Sequence, residues 1–409
     1  MALINRSSNR ISFLDILFCF FLVTSSGTLF STEYPYALYG IVVVFCLMLI
    51  KGRVRFLLNF KKTVRVIIAL MCLSFIQFFL FSEGDDISLV FKNFLLILIV
   101  FCVAYNNPER NISRLRAIVW IIIGFSFISN SIFIYHVFGG GLEFSSTQTS
   151  ENAMHFHYLE QICGNTLIGL AFRNGGIYYE PGMYQIYLNL ALLFILYDTN
   201  IRFRLLLVVY LLLTITSTFS VSGYATASVI IGLYVVKNNY NSFLPKLLVL
   251  CAFIIGFIYL SPYLKESFEL KSETSSAEIR GNDLTVGIDV FLTSPVVGFG
   301  IVNHEYAKVS KQFLGEKRDS TNGMVNLLIS FGMLGAILFL LCVKGVSRWL
   351  RVSLTPKVVI GFLIWLVISI NTESIVLHPL LLFIIGVGAN FYLEAKSKKA
   401  QINKSSVNV

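Results

Sequence analysis

Apolar and polar positions along this chain segregate into long blocks. Runs of about 16–22 apolar residues recur from end to end, the length that crosses a bilayer core as a helix. Twelve such runs are read, at approximately 11–30, 35–50, 64–82, 87–105, 117–138, 182–197, 203–217, 221–236, 244–262, 323–343, 357–371 and 375–393. Two long polar stretches interrupt them. The chain therefore divides into membrane helices over 1–138, a first large loop over 139–181, helices over 182–262, a second large loop over 263–322, and helices with a tail over 323–409. The expected fold is an all-α polytopic integral membrane protein with about 12 transmembrane helices.

Composition agrees with the pattern. Apolar residues make up 56% of the 409-residue chain and charged residues only 13%, with mean hydropathy +0.77. A soluble protein of this size needs far more polar surface.

Charge then orients the helices. The basic set of connections comprises both termini and the stretches from Lys51 to Arg65, Arg110 to Arg116, Arg202 with Arg204, Lys237 with Lys246, and Lys344 to Lys357. It holds 23 basic and 3 acidic residues, whereas the alternate connections hold 8 basic and 18 acidic ones. By the positive-inside rule both termini are cytoplasmic, and the two large loops are periplasmic. The net charge of +10 is thus a topology signal facing anionic lipid, and nucleic acid is not an expected partner. Arg6 and Arg10 before the first run resemble the start of a signal peptide, but the run's length and the lack of a small-residue cleavage site of the usual kind favour an uncleaved signal anchor. Six of the seven cysteines lie in apolar runs and only Cys163 in an outer loop, so no intramolecular disulfide framework is expected.

The chemistry concentrates in Arg173 to Asn189, RNGGIYYEPGMYQIYLN. Proline is comfortable in a first helical turn, so Glu180-Pro181-Gly182 reads as the mouth of a membrane helix, with Arg173 near the same mouth. Tyr178, Tyr179 and Tyr184 offer flat faces for sugar rings, although interface anchoring is the commoner role. Ser222-Gly223 opens another helix at a similar level, where small residues also permit close packing. Lys92 lies about one and a half turns inside the fourth run; it either snorkels to the interface or lines a polar cavity. His155, His157, Glu160 and Cys163 have spacings a metal could use, but no second cluster completes the set and no metal is expected. The second loop reads as helical and amphipathic until Ser294-Pro295, then turns through Val297-Gly298-Phe299-Gly300. Its notable groups are Arg280 and His304, and it closes on Thr321-Asn322-Gly323 before a helix bearing Phe331-Gly332-Met333-Leu334-Gly335.

Taken in order, these pieces resemble the O-antigen ligase and polymerase superfamily. Arg173 to Gly182 resembles its Arg-x-x-Gly…Glu-Pro-Gly helix mouth, and Ser220 to Gly223 its serine–glycine helix start. Ser276 to Gly300 resembles its arginine-bearing segment ending in a Pro…Gly-x-Gly turn, and Thr321-Asn322 through Gly335 its His-Asn…Gly-x-x-Gly helix. One departure is that Thr321 stands where the ligases carry histidine, which is more like the repeat-unit polymerases.

The resemblance implies a GT-C-like membrane glycosyltransferase of the bacterial inner membrane, active at its periplasmic face. Donor and acceptor would be undecaprenyl-diphosphate-linked glycans, with a chain-length regulator and a flippase as conceivable partners and no cofactor. Arg173 and Arg280 would then grip the leaving diphosphate, because a guanidinium holds phosphate oxygens in a bidentate fork. Glu180 or His304 would take the proton of the attacking hydroxyl, unless Glu180 orients Arg173 instead. Tyr178, Tyr179, Lys92, Ser222, Thr321 and Asn322 would line the substrate site. A flippase of lipid-linked repeats competes on span number, but no internal repeat between the halves supports it.

The orientation is testable with reporter fusions. Fusions at Glu151 and Lys271 should be active only as periplasmic markers, and those at Lys61 and Arg351 only as cytoplasmic ones. A cytoplasmic signal at Lys271 would put the second loop on the wrong side.

Overall fold

The computed structural model describes residues 11–28, 36–54, 72, 87–106, 108–137, 158–161, 172–198, 201–237, 275–300, 304–314 and 320–392. The predicted spans 64–82 (but for residue 72) and 244–262 lie outside the described residues, as do His155, His157 and Cys163. The first helices are α1 (Phe13–Thr24), α2 (Tyr36–Ile50), α3 (Ile87–Asn106) and α4 (Asn111–Val137). Strands β1 (Tyr158–Gln161) and β2 (Phe172–Gly176) follow, then α5 (Pro181–Tyr197), α6 (Arg204–Ser217) and α7 (Val221–Lys237). The second loop contributes α8 (Ser275–Thr293) and α9 (His304–Leu314). The chain ends its described part with α10 (Gly323–Ser353), α11 (Pro356–Thr372) and α12 (Pro379–Tyr392).

The helical expectation is met, with two features the sequence reading lacked. One short antiparallel pair joins β1 and β2, with Glu160 opposite Arg173. The second loop also holds α9, a separate helix that the sequence pattern did not suggest. The break at Ser294-Pro295 is found where expected, since α8 stops at Thr293.

Local chemistry explains where the helices begin. Ser12 caps α1 reciprocally: its hydroxyl accepts from the Asp15 amide, while the Asp15 carboxylate accepts from the Ser12 amide. Asn322 caps α10 by accepting from the amides of Met324 and Val325 at 2.9 and 3.2 Å. Proline occupies the first turn of α5 and of α11, where its missing N–H costs nothing.

α5 is the centre of the bundle. Nearly all of its residues are buried, and α4, α6, α7 and α11 pack around it. A helix enclosed on every side belongs to a core rather than a surface. Outside it, large apolar side chains face outward, among them Phe91, Leu206, Leu213, Leu340 and Val367. So apolar an exterior suits hydrocarbon better than water. Helices Asn111–Tyr135 and Gly323–Ser353 are long and apolar enough to cross a membrane, and shorter apolar helices accompany them.

Contacts sort the connections into two ends. At the basic end, the Asp15 carboxylate meets the Arg114 guanidinium at 2.7 Å with both side chains fully buried, and Arg116 pairs with Asp198. Arg114 also donates to the Val103 carbonyl and to Asn111, so its fork is nearly satisfied within the protein. The ionisable group inside the first span therefore faces the bundle interior, as its depth requires. The opposite end gathers the end of α1, the β2–α5 connection, the α6–α7 and α11–α12 turns and the start of α10.

α10 is broken at Gly332, whose φ of 60° and ψ of −165° leave the helix. A break inside a membrane helix must have its freed backbone groups paired by protein. The turn after α8 pairs them: Phe299 and Gly300 amides donate to the Ile329 and Ser330 carbonyls, while Met333 and Leu334 amides donate to Pro295 and Val296. The backbones meet so closely that a Cβ on Gly298 would lie 2.7 Å from the Gly332 amide nitrogen. The Pro…Gly-x-Gly turn and the Gly-x-x-Gly helix are thus two halves of one joint. The half of α10 before the joint packs on α8 and α9 in its own apolar cluster, built from Val286, Val290, Tyr306, Val325 and Ile329.

The buried ion pair yields a stability prediction. Arg114→Met strands the Asp15 carboxylate and should cost about 3–5 kcal/mol, read as a lower melting temperature in detergent. Adding Asp15→Asn should recover much of that loss; no recovery would mean the pair is not the cause.

Candidate functional site

The site is built on the strap from Arg173 to Gly182. Its anchor is Asn174, fully buried and saturated with hydrogen bonds. The Asn174 side-chain oxygen accepts from the Ser129 hydroxyl at 2.7 Å and the Gly176 amide at 3.0 Å. Its amide nitrogen donates to Asn130 and Ser217, both at 3.0 Å. Next to it, Arg173 Nε donates to the Thr218 carbonyl at 3.1 Å. The strap thereby holds the α6–α7 turn, where Phe219 takes a left-handed φ of 47° that a bulky residue adopts only under constraint. Ser222, two residues into α7, accepts from Gln185 of α5 at 3.4 Å.

At its other end the strap runs under α1 and into α5. Thr28 bridges to Tyr178, and the Tyr179 amide reaches the Gly27 carbonyl. Tyr178 is buried, stacked on Tyr187 at 4.6 Å and on Tyr184 at 5.6 Å between ring centroids. Its faces therefore serve the core. Tyr179 is half-buried, and burial, followed by the charges of Glu180 and Glu373, raises its phenol above the ordinary value.

Glu373 comes from the α11–α12 turn. A side chain on Gly182 would collide with its Oε1 atom and would lie 3.9 Å from Glu180 Oε2. The glycine of the Glu-Pro-Gly step is therefore required by the approach of a second carboxylate. Glu373 is buried while Glu180 is exposed. The α10 start closes on the same turn: a Cβ on Gly323 would come within 2.6 Å of the Glu373 carbonyl, and Asn326 donates to Ser374 at 2.7 Å.

From there the contacts lead into the second loop. Asp283 of α8 is fully buried and accepts from the Tyr306 hydroxyl of α9 at 2.8 Å. It also accepts from the Thr321 amide and hydroxyl, at 2.9 and 2.8 Å. Three segments meet on one carboxylate, and Arg280 lies one turn before it on α8.

The sequence-picked residues thus fall into groups. Glu180, Tyr179, Asn322 and Thr321 border the α11–α12 turn or the Asp283 junction that adjoins it. Arg173 and Ser222 border the α6–α7 turn on the other side of the α5 mouth. Arg280 sits in α8, and His304 opens α9. Lys92 is exposed on α3 and is not brought to either group. Sequence reasoning missed Asn174, Asp283 and Glu373. Only Glu373 left a trace, as an isolated acid between two apolar runs.

These features define a class first: an apolar helical bundle with a polar site where its outer connections meet. Residues 206–340, from α6 past the Gly332 joint, match the family model described as O-Antigen ligase. That match supports the resemblance to the O-antigen ligase and polymerase superfamily, whose members are membrane enzymes acting on lipid-linked polysaccharide. Ser222, Arg280, His304, Thr321 and Asn322 fall within the match, whereas the strap and Glu373 fall outside it. No curated protein matches the chain.

The Asp283 junction can be tested separately from activity. Asp283→Ala leaves the buried Tyr306 hydroxyl without this acceptor, a cost of about 1–3 kcal/mol. The second loop should become more sensitive to limited proteolysis, and Asp283→Asn should fall between the two. Equal cleavage of all three would show that the junction does not hold the loop.

Proposed function

We propose that this chain is a surface-polysaccharide polymerase, joining undecaprenyl-diphosphate-linked repeat units at the periplasmic face of the bacterial inner membrane. The observation that carries the polymerase reading is Thr321. It stands where the ligases carry histidine, and its hydroxyl hydrogen-bonds Asp283, so that position supplies no imidazole base. The growing glycan is the donor, and the terminal sugar of a new lipid-linked repeat is the acceptor. The acceptor hydroxyl oxygen attacks the anomeric carbon of the donor. The bond from that carbon to the diphosphate oxygen breaks, and its electron pair leaves on undecaprenyl diphosphate. The hydroxyl proton passes to Glu180, the exposed carboxylate at the mouth of α5. The donor is already activated, so the reaction needs no nucleotide.

Electrostatics favour this end of the bundle for such a leaving group. α5 and α10 both point their N-termini here, where the helix dipoles carry partial positive charge. Arg173 is steadied through Nε by Thr218, which pre-orients its fork. Arg280 is the matching cation from the second loop. Tyr179 and Asn322 contribute to sugar positioning. The second reading is a ligase transferring finished polymer to lipid A core; the description of the matching family model favours it.

Deletion in the native host separates the readings. Loss of the polymerase leaves lipid A core bearing a single repeat, because flipping and ligation continue. Loss of all O-antigen with accumulating lipid-linked polymer would indicate the ligase. Single repeats stranded on the cytoplasmic side would indicate a flippase and overturn both.

The clamp itself is tested by Arg173→Lys and Arg280→Lys, which keep the charge and lose the fork. Each should slow polymerisation, and each alanine variant should slow it further. A charge-assisted contact of about 1.5–3 kcal/mol corresponds to a roughly tenfold to hundredfold rate loss. Normal chain length in both lysine variants, with alanine lowering only protein abundance, would make the arginines structural.

A further inference from the structure

Glu373 lies outside the matched family segment and outside the strap, yet its carboxylate reaches the same glycine as that of Glu180. The approach is built in from three sides. Gly182 gives way to Glu373 Oε1, the Gly323 backbone packs on the Glu373 carbonyl, and Asn326 holds the neighbouring Ser374 hydroxyl. The turn is fixed further along as well: His378 Nδ1 meets the Tyr187 hydroxyl at 2.9 Å, and the Leu380 amide donates to Ser26. A carboxylate held this firmly beside an exposed one has a definite electrostatic effect on it. Like charges at short range disfavour each other, and one proton on the pair removes the repulsion.

We propose that Glu373 is a positioning residue that works as a pair with Glu180, strengthening it as the proton acceptor for the attacking sugar hydroxyl. This rests on the glycosyl-transfer reading above. Glu180, on the open side, meets the hydroxyl; Glu373, on the buried side, supplies the negative charge that draws the proton. The oxygen of the hydroxyl goes to the anomeric carbon and its proton to Glu180, so the pair passes from two negative charges to one. The proton then leaves Glu180 to water. Tyr179, in the strap beside α1, is the phenol raised by burial and then by the charges of both carboxylates. His378 closes the other end of the same turn with its Nδ1 engaged by Tyr187.

The test uses the full-length protein in proteoliposomes with lipid-linked repeat units, after the wild type has been shown to form polymer. Glu373→Gln keeps the shape and removes the charge. The polymerisation rate at neutral pH should fall several-fold to about tenfold while KM for the lipid-linked repeat stays within about twofold. The acidic limb of the pH–rate profile should move to lower pH by about one unit, because Glu180 loses its like-charged neighbour. Glu373→Asp should restore much of the wild-type limb. Glu180→Gln should abolish the limb altogether, with or without a second change at Glu373. An unmoved limb in Glu373→Gln would overturn the pairing, even if the rate fell, because a merely structural role lowers rate without moving it. A wild-type rate in Glu373→Gln would overturn it equally. If the wild type fails to form polymer but transfers glycan to lipid A core, the same profiles are read on that transfer, and only the polymerase reading is lost. If it does neither, the glycosyl-transfer reading fails and the pairing falls with it.

Discussion

The architecture depends on the enclosure of α5 by protein on all sides. An enclosed helix has little water to satisfy its polar groups, so its buried amide side chains turn to neighbouring helices. Gln185 and Asn189, both buried, are joined to each other and to Ser222 and the Gly223 carbonyl of α7. Trp365 of α11 donates to the Ile186 carbonyl at 2.9 Å. α5 opens toward the strap at its first turn, and Pro181 makes that turn tolerable. The strap, the α11–α12 turn and the start of α10 are there because α5 ends there.

The second loop meets the membrane helices through a joint of a different kind. Most loops rest on a surface, but this one replaces the backbone hydrogen bonds of a broken helix. The break at Gly332 is thereby rigid, since amides and carbonyls on both sides of it are engaged. Displacing the turn after α8 would remove the partners of those groups. The small cluster around Val286 and Ile329 adds apolar contact between α8 and the same half-helix. α8, and Arg280 with it, is therefore part of the framework rather than an appendage.

Much of this was legible because the strongest signals were local. Pro181 marks a helix start by its own geometry, and Ser294-Pro295 marks a helix end the same way. Gly332 was legible as a glycine of the Gly-x-x-Gly helix, although close packing was the expected reason rather than a broken helix. The β1–β2 pairing was not legible: YLEQ and FRNGG are too short to show period-two alternation, and glycine is a poor strand former. Asp283 was hidden because nine acids share its loop, and only burial among three segments distinguishes it. Glu373 shows no partner in sequence, since Glu180 is nearly two hundred residues earlier. Tyr178 was legible as a tyrosine near the mouth, but stacking on Tyr184 and Tyr187 is a tertiary fact.

Asn174 explains why the strap carries an arginine at one end and a glutamate at the other. Its four hydrogen bonds tie β2 to α4 and to the end of α6, so the backbone on either side of it cannot shift independently. Arg173 is thus delivered to the Thr218 carbonyl from a fixed base, and the left-handed Phe219 is held in the same contact. Strain of this kind persists only where the surroundings over-determine it. Seven residues later the strap hands Glu180 to the α5 mouth, beside Glu373. Under the glycosyl-transfer reading, leaving-group and proton chemistry are then set at a fixed spacing by one short segment. A reaction that must repeat the same bond on successive glycans gains most from such rigidity, since misplacement of a reacting group by about 1 Å can cost on the order of a hundredfold in rate.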